Sequence, residues 1–528
     1  MVTAIFYAWF AQSNSISSTF EPKEVTQMSF YSEMEKILKK NKTLTENGGV
    51  GYETSGHALV DMNYKVASYR TADEGTILAD FLKAFAETPE LAIKWMFYAG
   101  DVREGLGERR LFKILVKNVL PKYPWLIKFI PDYSRWDIVT ELLGTAVEKE
   151  VVELIKERLN IDLGAMKAGK PISLLAKWMP SVNTSSKETV AKANKLCALL
   201  GMKPAEYRKT LSKLRAYSNV IEVKLCKNEW SDVNYEAVPS QANLKYKDAF
   251  LKHDEARRRE FLGKLTKGEA KINASVAFPH EVVYKYRCQS GEYSSTVDPA
   301  LEGMWKNLKS IEMTKPMIVV RDGSGSMGCP VGGTRVHALD VATALAIYCS
   351  EHSAPGFENE FITFGNKPKL VKFGPNMTLR DKMTLAYHES DCSNTDIEAT
   401  MDLILSTAKR SHLKQDQIPD VLIISDMEFD SATTCSCYSW QRTSTKDLPT
   451  VFESIRQKYK AEGYDLPGMV FWNVNSRTNA VPLQENKYGL KLLSGFSQNV
   501  LNMALSNKLD PFEVLKETLL SKRYEVIK

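Results

Sequence analysis

The segment Met317-Ile-Val-Val-Arg-Asp322-Gly-Ser324-Gly-Ser326-Met327 decides how this chain folds. Its apolar, β-leaning run reads as a strand buried on both faces, and it ends abruptly in a carboxylate and two hydroxyls spaced by glycine. Asp322, Ser324 and Ser326 fall at i, i+2 and i+4, so a gently curved loop turns three oxygens to one side. Gly323 and Gly325 leave the backbone room to bend around an ion. One carboxylate and two neutral hydroxyls form a hard, low-charge donor set. It suits an octahedral ion that keeps waters and accepts an outside ligand, Mg²⁺ first and Mn²⁺ second.

Around that segment strands and helices alternate. Strand-like runs fall at 316–321, 361–364, 420–425, 469–472 and about 489–493, with helical patterns at 336–351, 395–409, 448–461 and 496–506 between them. Near-continuous apolar strands with helical crossovers predict a doubly wound, mostly parallel sheet, whose ligand site sits at the carboxyl ends of its strands.

The metal loop at the end of a buried strand resembles the metal-ion-dependent adhesion site of von Willebrand factor A domains, a Rossmann-like fold. That family completes the ion's shell with a Thr and an Asp from two later loops. Ser393-Asn394-Thr395-Asp396 opens a helical pattern, and Val421-Leu-Ile-Ile-Ser-Asp426 is another buried strand ending in a carboxylate. The resemblance therefore implies Thr395 and Asp426 as the remaining ligands. The Ser- and Cys-rich stretch 431–447 reads as a rim loop beyond the third site.

Upstream the grammar is helical. From Thr76, apolar faces recur at helical spacing: Ile77, Phe81 and Phe85, then Leu91 and Trp95, then Leu111, Ile114, Leu115 and Val119. Pro and Gly punctuate at short intervals and leave helices of about 10–15 residues. Short helices that cannot bury their stripes alone predict an irregular, HEAT-like helical-repeat array. The expected organisation is an N-terminal extension at 1–75, helical repeats at 76–311 and an A-like domain at 312–528.

Phe97-Tyr-Ala-Gly100-Asp-Val-Arg103-Glu-Gly-Leu-Gly107-Glu108-Arg109-Arg110, Arg135-Trp136-Asp137, Lys177-Trp178-Met-Pro180 and Tyr207-Arg208-Lys209 resemble a family in which a helical region precedes an A-type domain. That region is similar to the TROVE module of Ro-type ribonucleoproteins. The resemblance implies a ring of helical repeats closed by the A domain, which binds small structured or defective RNAs on basic surfaces.

The charge distribution fits such a partner. The net charge is +6, yet residues 101–310 hold 37 Lys and Arg against 26 Asp and Glu, whereas 311–528 hold 24 against 26. Arg103, Arg109, Arg110, Lys113, Lys117, Arg208, Lys209, Lys213, Arg215, Arg257, Arg258 and Arg259 are the candidate phosphate-binding residues. A solvated helical face is the competing reading for any one of them. Binding is expected to need no metal, because the metal loop lies in the near-neutral part of the chain.

Nothing in the sequence calls for catalysis: there is no phosphate-binding G-x-x-x-x-G-K loop, no G-x-S-x-G, and no His placed as a base beside the metal loop. No apolar run reaches the 18 or so residues that span a bilayer. The eight cysteines, several inside apolar runs, read as reduced thiols of a cytoplasmic protein. The expected function is a non-catalytic RNA-binding ribonucleoprotein component whose Mg-dependent A domain engages a protein partner. The alternative is a metal-dependent protein–protein interaction scaffold with no RNA role.

Overall fold

The computed structural model describes residues 42–44, 50–288, 293–311, 313, 315–365, 367–390, 395–428, 448–477, 490–506, 508 and 510–528. The loop at 431–447 and the Ser393-Asn394 pair lie outside the described residues.

The fold is a helical array followed by a doubly wound α/β unit. Six strands form one sheet: β1 Met317–Asp322, β2 Glu360–Phe364, β3 Leu370–Lys372, β4 Asp420–Ser425, β5 Met469–Asn473 and β6 Leu490–Ser494, in the order β3-β2-β1-β4-β5-β6. All neighbours run parallel except β3, which pairs antiparallel with β2. The sequence reading placed the five parallel strands and missed β3. Leu370–Lys372 is three residues long at a sheet edge and exposed at both ends, so it lacks the buried apolar run that marked the others.

Side chains alternate across the sheet and serve two cores. Val319, Leu422, Val470 and Leu493 join the core that extends into the helical array, under the helix Ala338–Glu351. Val320, Ile423, Phe471 and Leu492 meet the helices Ile397–Arg410 and Leu448–Ala461 on the other face. The crossover order puts the ends of β1 and β4 side by side at the sheet's carboxyl edge.

In the array, several prolines start helices. Pro89, Pro204, Pro279 and Pro299 each occupy the first helical turn, where a missing N–H costs nothing. Asp73, Ser186 and Asp298 cap helices through their side chains. Successive helices Glu74–Glu87, Pro89–Gly100 and Arg109–Val119 pack against one another, as do Ser240–His253 and Glu255–Thr266.

Both ends of the array meet the α/β unit. At the far end Pro279–Lys285 packs on Ala338–Glu351. At the near end the fully buried Asp101 receives Arg523 Nε at 2.8 Å and Tyr524 Oη at 3.1 Å, and Asn499 Nδ2 donates to the Gly105 carbonyl. The helix Ala58–Tyr64, inside the stretch read as an extension, lies against β6; Leu59 and Met62 enter one core and Val60 and Tyr64 the other. The array thus curves back on itself around a large, half-open cavity.

Candidate metal site and cationic cavity

β1 delivers Asp322 to the carboxyl edge of the sheet with no exposed surface. The chain then turns: the Ser324 N–H donates to Asp322 Oδ1 at 2.9 Å, and residues Gly325–Gly328 make one 3-10 turn. That turn sets the Ser324 and Ser326 hydroxyls 2.9 Å apart, with Ser324 buried and Ser326 half-buried at the mouth. β4, hydrogen-bonded alongside, ends in Ser425 and Asp426. The Ser425 hydroxyl donates to Asp322 Oδ2 at 2.5 Å, and the Asp426 carboxyl is 1% exposed. Thr395 is buried just ahead of the helix Ile397–Arg410, which Asp396 caps by accepting from the Ala399 N–H.

The electrostatics fit a divalent cation. Burial pushes the Asp426 carboxyl up to about 7, and the charge of Asp322 adds to the shift. Asp322 is also raised by burial, against hydrogen bonds from Ser425 and Ser324 that favour its charged form. Two buried carboxylates that repel one another, lined by neutral hydroxyls, are relieved by an ion between them. A small, hard cation that keeps several waters matches this donor set. Among the described residues no cluster of three His, Cys, Asp or Glu offers a rival site.

Sequence reasoning missed the residues that hold this site. Ser425 was visible, one residue before a predicted ligand. Arg477 was not, since it comes from the loop after β5: its Nη2 donates to Asp426 Oδ2 at 3.3 Å and its Nη1 to Cys329 Sγ at 3.0 Å. Met427 adopts φ +62°, a left-handed conformation that costs a non-glycine residue roughly 1–3 kcal/mol. This turn places the buried Glu428 carboxylate to accept from the Arg477 N–H at 2.7 Å.

The second feature is a half-open cavity of about 2350 Å³, with walls drawn from residues as far apart as Arg70 and Val336. Among the described residues fourteen lysines and arginines line it against four acidic side chains, so its surface is strongly cationic. Arg103, Arg109, Arg208, Lys209, Lys213 and Arg215 of the candidate set face it. Arg208, Lys209 and Lys213 are exposed on the helix Pro204–Tyr217. Burial in the cavity wall lowers the Arg109 pKa, the nearby Arg135 charge lowers it further, and Glu281, Asp137 and Glu108 offset this only in part. The cavity also recruits cations outside the candidate set: Arg70, Lys128, Arg135, Arg158, Lys177 and Lys245 among them. Arg135 stacks over Trp178 at 4.0 Å and pairs with Asp137.

Other candidates are placed elsewhere. Arg258 is a correction: it is 1% exposed, with its guanidinium caged by the rings of Tyr235, Phe250 and Phe261, and so has no surface to offer a phosphate. Arg257 bonds the Trp230 and Val233 carbonyls and Asp254, and Arg259 pairs with Glu255; neither lines the cavity. Arg110 is committed to the Tyr69 and Ala72 carbonyls. Lys113 pairs with Glu141, and Lys117 is exposed on the same helix, away from the cavity. Arg215 faces the cavity but spends its donors on the Ala176 and Met179 carbonyls and Ser181. The exposed ones share a cause: amphipathic helices put cations on every polar face, and one face alone turns toward the cavity.

Among the described residues no helix is long and apolar enough to cross a membrane.

Comparison with known proteins gives two family matches, both to domains of unknown function: DUF2828 over residues 145–313 and DUF7788 over 316–523. The chain is 27% identical over 525 residues to uncharacterized protein L728 of Acanthamoeba polyphaga mimivirus, covering 91% of this chain and 87% of the viral protein. Among solved structures it is similar to the RO (RSR) protein of Deinococcus radiodurans, at 12% identity and a TM-score of 0.33, over 95% of each chain. The two family matches abut at residues 313 and 316, immediately before β1.

Proposed function

We propose that this chain is a non-catalytic RNA-binding protein, a ribonucleoprotein component that holds RNA on its cationic cavity and engages a protein partner through a Mg²⁺-dependent A-type site. The cavity carries the reading. Fourteen cations against four acids, gathered from helices far apart in sequence, form a surface whose counterions a polyphosphate would release on binding. Apolar patches between the cations, at Ile161, Leu174 and Trp178, suit base and sugar faces as well as phosphates. The TROVE-like motifs quoted above supply Arg103, Arg109, Arg135, Lys177, Arg208 and Lys209, all of which line this space. Asp322, Ser324, Ser326, Thr395 and Asp426 would hold Mg²⁺ or Mn²⁺. The ion would leave a coordination position for a partner's carboxylate at the half-buried Ser326 mouth. The buried thiols Cys197 and Cys349 and the absence of any disulfide among the described residues accord with a cytoplasmic setting.

Filter binding of a small structured RNA at increasing salt tests the reading. A surface that engages about five phosphates gives a log–log salt slope of about −3.5 to −4.5. Retention equal to that of an unrelated protein of the same net charge would instead favour the protein–protein scaffold.

A further inference from the structure

The metal loop and the cavity wall are consecutive in the chain. The 3-10 turn that carries Ser326 runs into a short hairpin. In it Pro330 pairs with His337, the Val331 N–H donates to the Val336 carbonyl at 2.8 Å, and the Ala338 N–H donates to the Cys329 carbonyl at 3.1 Å. At its tip Gly332, at φ +56°, lies so close to Arg70 that a β-carbon there would sit 2.5 Å from the Arg70 Cβ. Thr334 and Val336 of the hairpin, and Arg70 itself, line the cavity. Arg70 in turn is fixed by Glu108 at 2.6 Å and by the Phe496 ring at 3.7 Å. At the other end of the hairpin, Arg477 ties Cys329 to the metal-site carboxylate of Asp426.

We propose that Arg477 and the hairpin 329–337 couple the two sites, so that an ion at Asp322 and Asp426 tightens the cavity's grip on RNA. The proposal rests on the reading of the cavity as the RNA site. A divalent cation and the Arg477 guanidinium compete for one carboxylate and repel each other at short range. When the ion binds, the guanidinium leaves Asp426, and its hold on Cys329 goes with it. The hairpin then reseats against Arg70. Neutralised carboxylates and a released guanidinium both make this wall more positive. This revises the expectation that the metal loop leaves RNA affinity untouched, because the loop is remote from the basic helices in sequence only. Coupling is reciprocal, so RNA must raise Mg²⁺ affinity by the same factor.

The test measures affinity for one structured RNA with Mg²⁺ and with chelator at constant ionic strength, in the wild type and in Asp322→Ala; the difference between the two cancels the ion's effect on the RNA. The wild type is expected to gain about fivefold or more, and Asp322→Ala nothing. Gly332→Ala and Arg477→Ala should each lose the gain, the first while binding Mg²⁺ as the wild type does, the second while binding it more tightly. Hydrogen exchange at the Val331, Val336 and Ala338 amides should change on adding Mg²⁺ without RNA. Equal gains in wild type and Asp322→Ala, or unchanged exchange in protein that calorimetry shows to bind the ion, would overturn the coupling. Loss of RNA retention in every condition would instead sink the RNA reading, with the exchange result still deciding the link.

Discussion

The candidate metal site and the cavity are both charged, and they are built in opposite ways. At the candidate metal site two carboxylates are buried and positioned by named hydrogen bonds; burial raises both pKa values, and the Asp322 charge adds to the shift at Asp426. In the cavity many cations sit in water on flexible stems, several with one side facing open space. Short-range chemistry in a dry place concentrates function in a few atoms, whereas a wet polycationic surface spreads it over many. Single substitutions should therefore be decisive in the first region and incremental in the second.

The largest expected effect belongs to the metal site. Partners outside a metal's direct ligands typically cost 10–100-fold in affinity, so Asp322→Ala, which removes a carboxylate proposed to bind the ion directly, should weaken Mg²⁺ by at least about a hundredfold in calorimetry. Its apolar strand core is untouched, and thermal stability should stay close to wild type. Unchanged Mg²⁺ binding would break the contrast at its sharper pole.

In the cavity the combined Arg208→Glu, Lys209→Glu, Lys213→Glu variant should lower RNA affinity by about fiftyfold and flatten the salt slope by about 3. Each single alanine should flatten it by about 1. If one single variant abolished binding, the cavity would be a discrete site like the metal centre.

Arg258 sharpens the comparison from inside one residue type. Its guanidinium is buried among rings with no hydrogen-bond partner among the described residues, so Arg258→Ala trades lost packing and cation–π contact against relief of a desolvated charge. A net loss of about 2 kcal/mol is expected in denaturant unfolding, with the RNA salt slope unchanged. Arg208→Ala should show the converse.

The smallest effect concerns the seam between the two regions, where His280 packs edge-on to Phe496. Burial, helped by the Arg70 charge, lowers the His280 pKa to about 3. A base depressed in the folded state favours the unfolded state as pH falls below its ordinary value near 6.5. The stability loss should therefore grow through the window from about 6.5 toward 3, by about 1.4 kcal/mol for each pH unit. Between pH 6.5 and 5.5 a His280→Gln variant should lose about 1 kcal/mol less than wild type in urea unfolding.

The parallel strands and their crossover helices were legible because a strand buried on both faces must be apolar throughout, and that pattern is local. Asp322, Ser324 and Ser326 were legible because their spacing is local too. Thr395 and Asp426 were singled out by the resemblance alone, and Arg477 was beyond reach, since no spacing links a loop after β5 to one after β4. Among the cations, charge alone could not separate Arg208, which faces the cavity, from Arg258, which is caged, or Arg110, which braces a neighbouring turn.

The sequence by itself determined the order of elements, the strand ends that carry Asp322 and Asp426 and the excess of positive charge in the helical part. All three follow from periodicity and composition within a few residues of one another. Only the tertiary structure decided which cations share a cavity and that Asp101 meets Arg523 across the closed array. It also decided that residues 58–64 belong to the sheet's cores, and that the metal loop runs straight into the cavity wall. These are contacts between residues tens to hundreds of positions apart. They depend on how curved helices close around a shared apolar core, which no local pattern encodes.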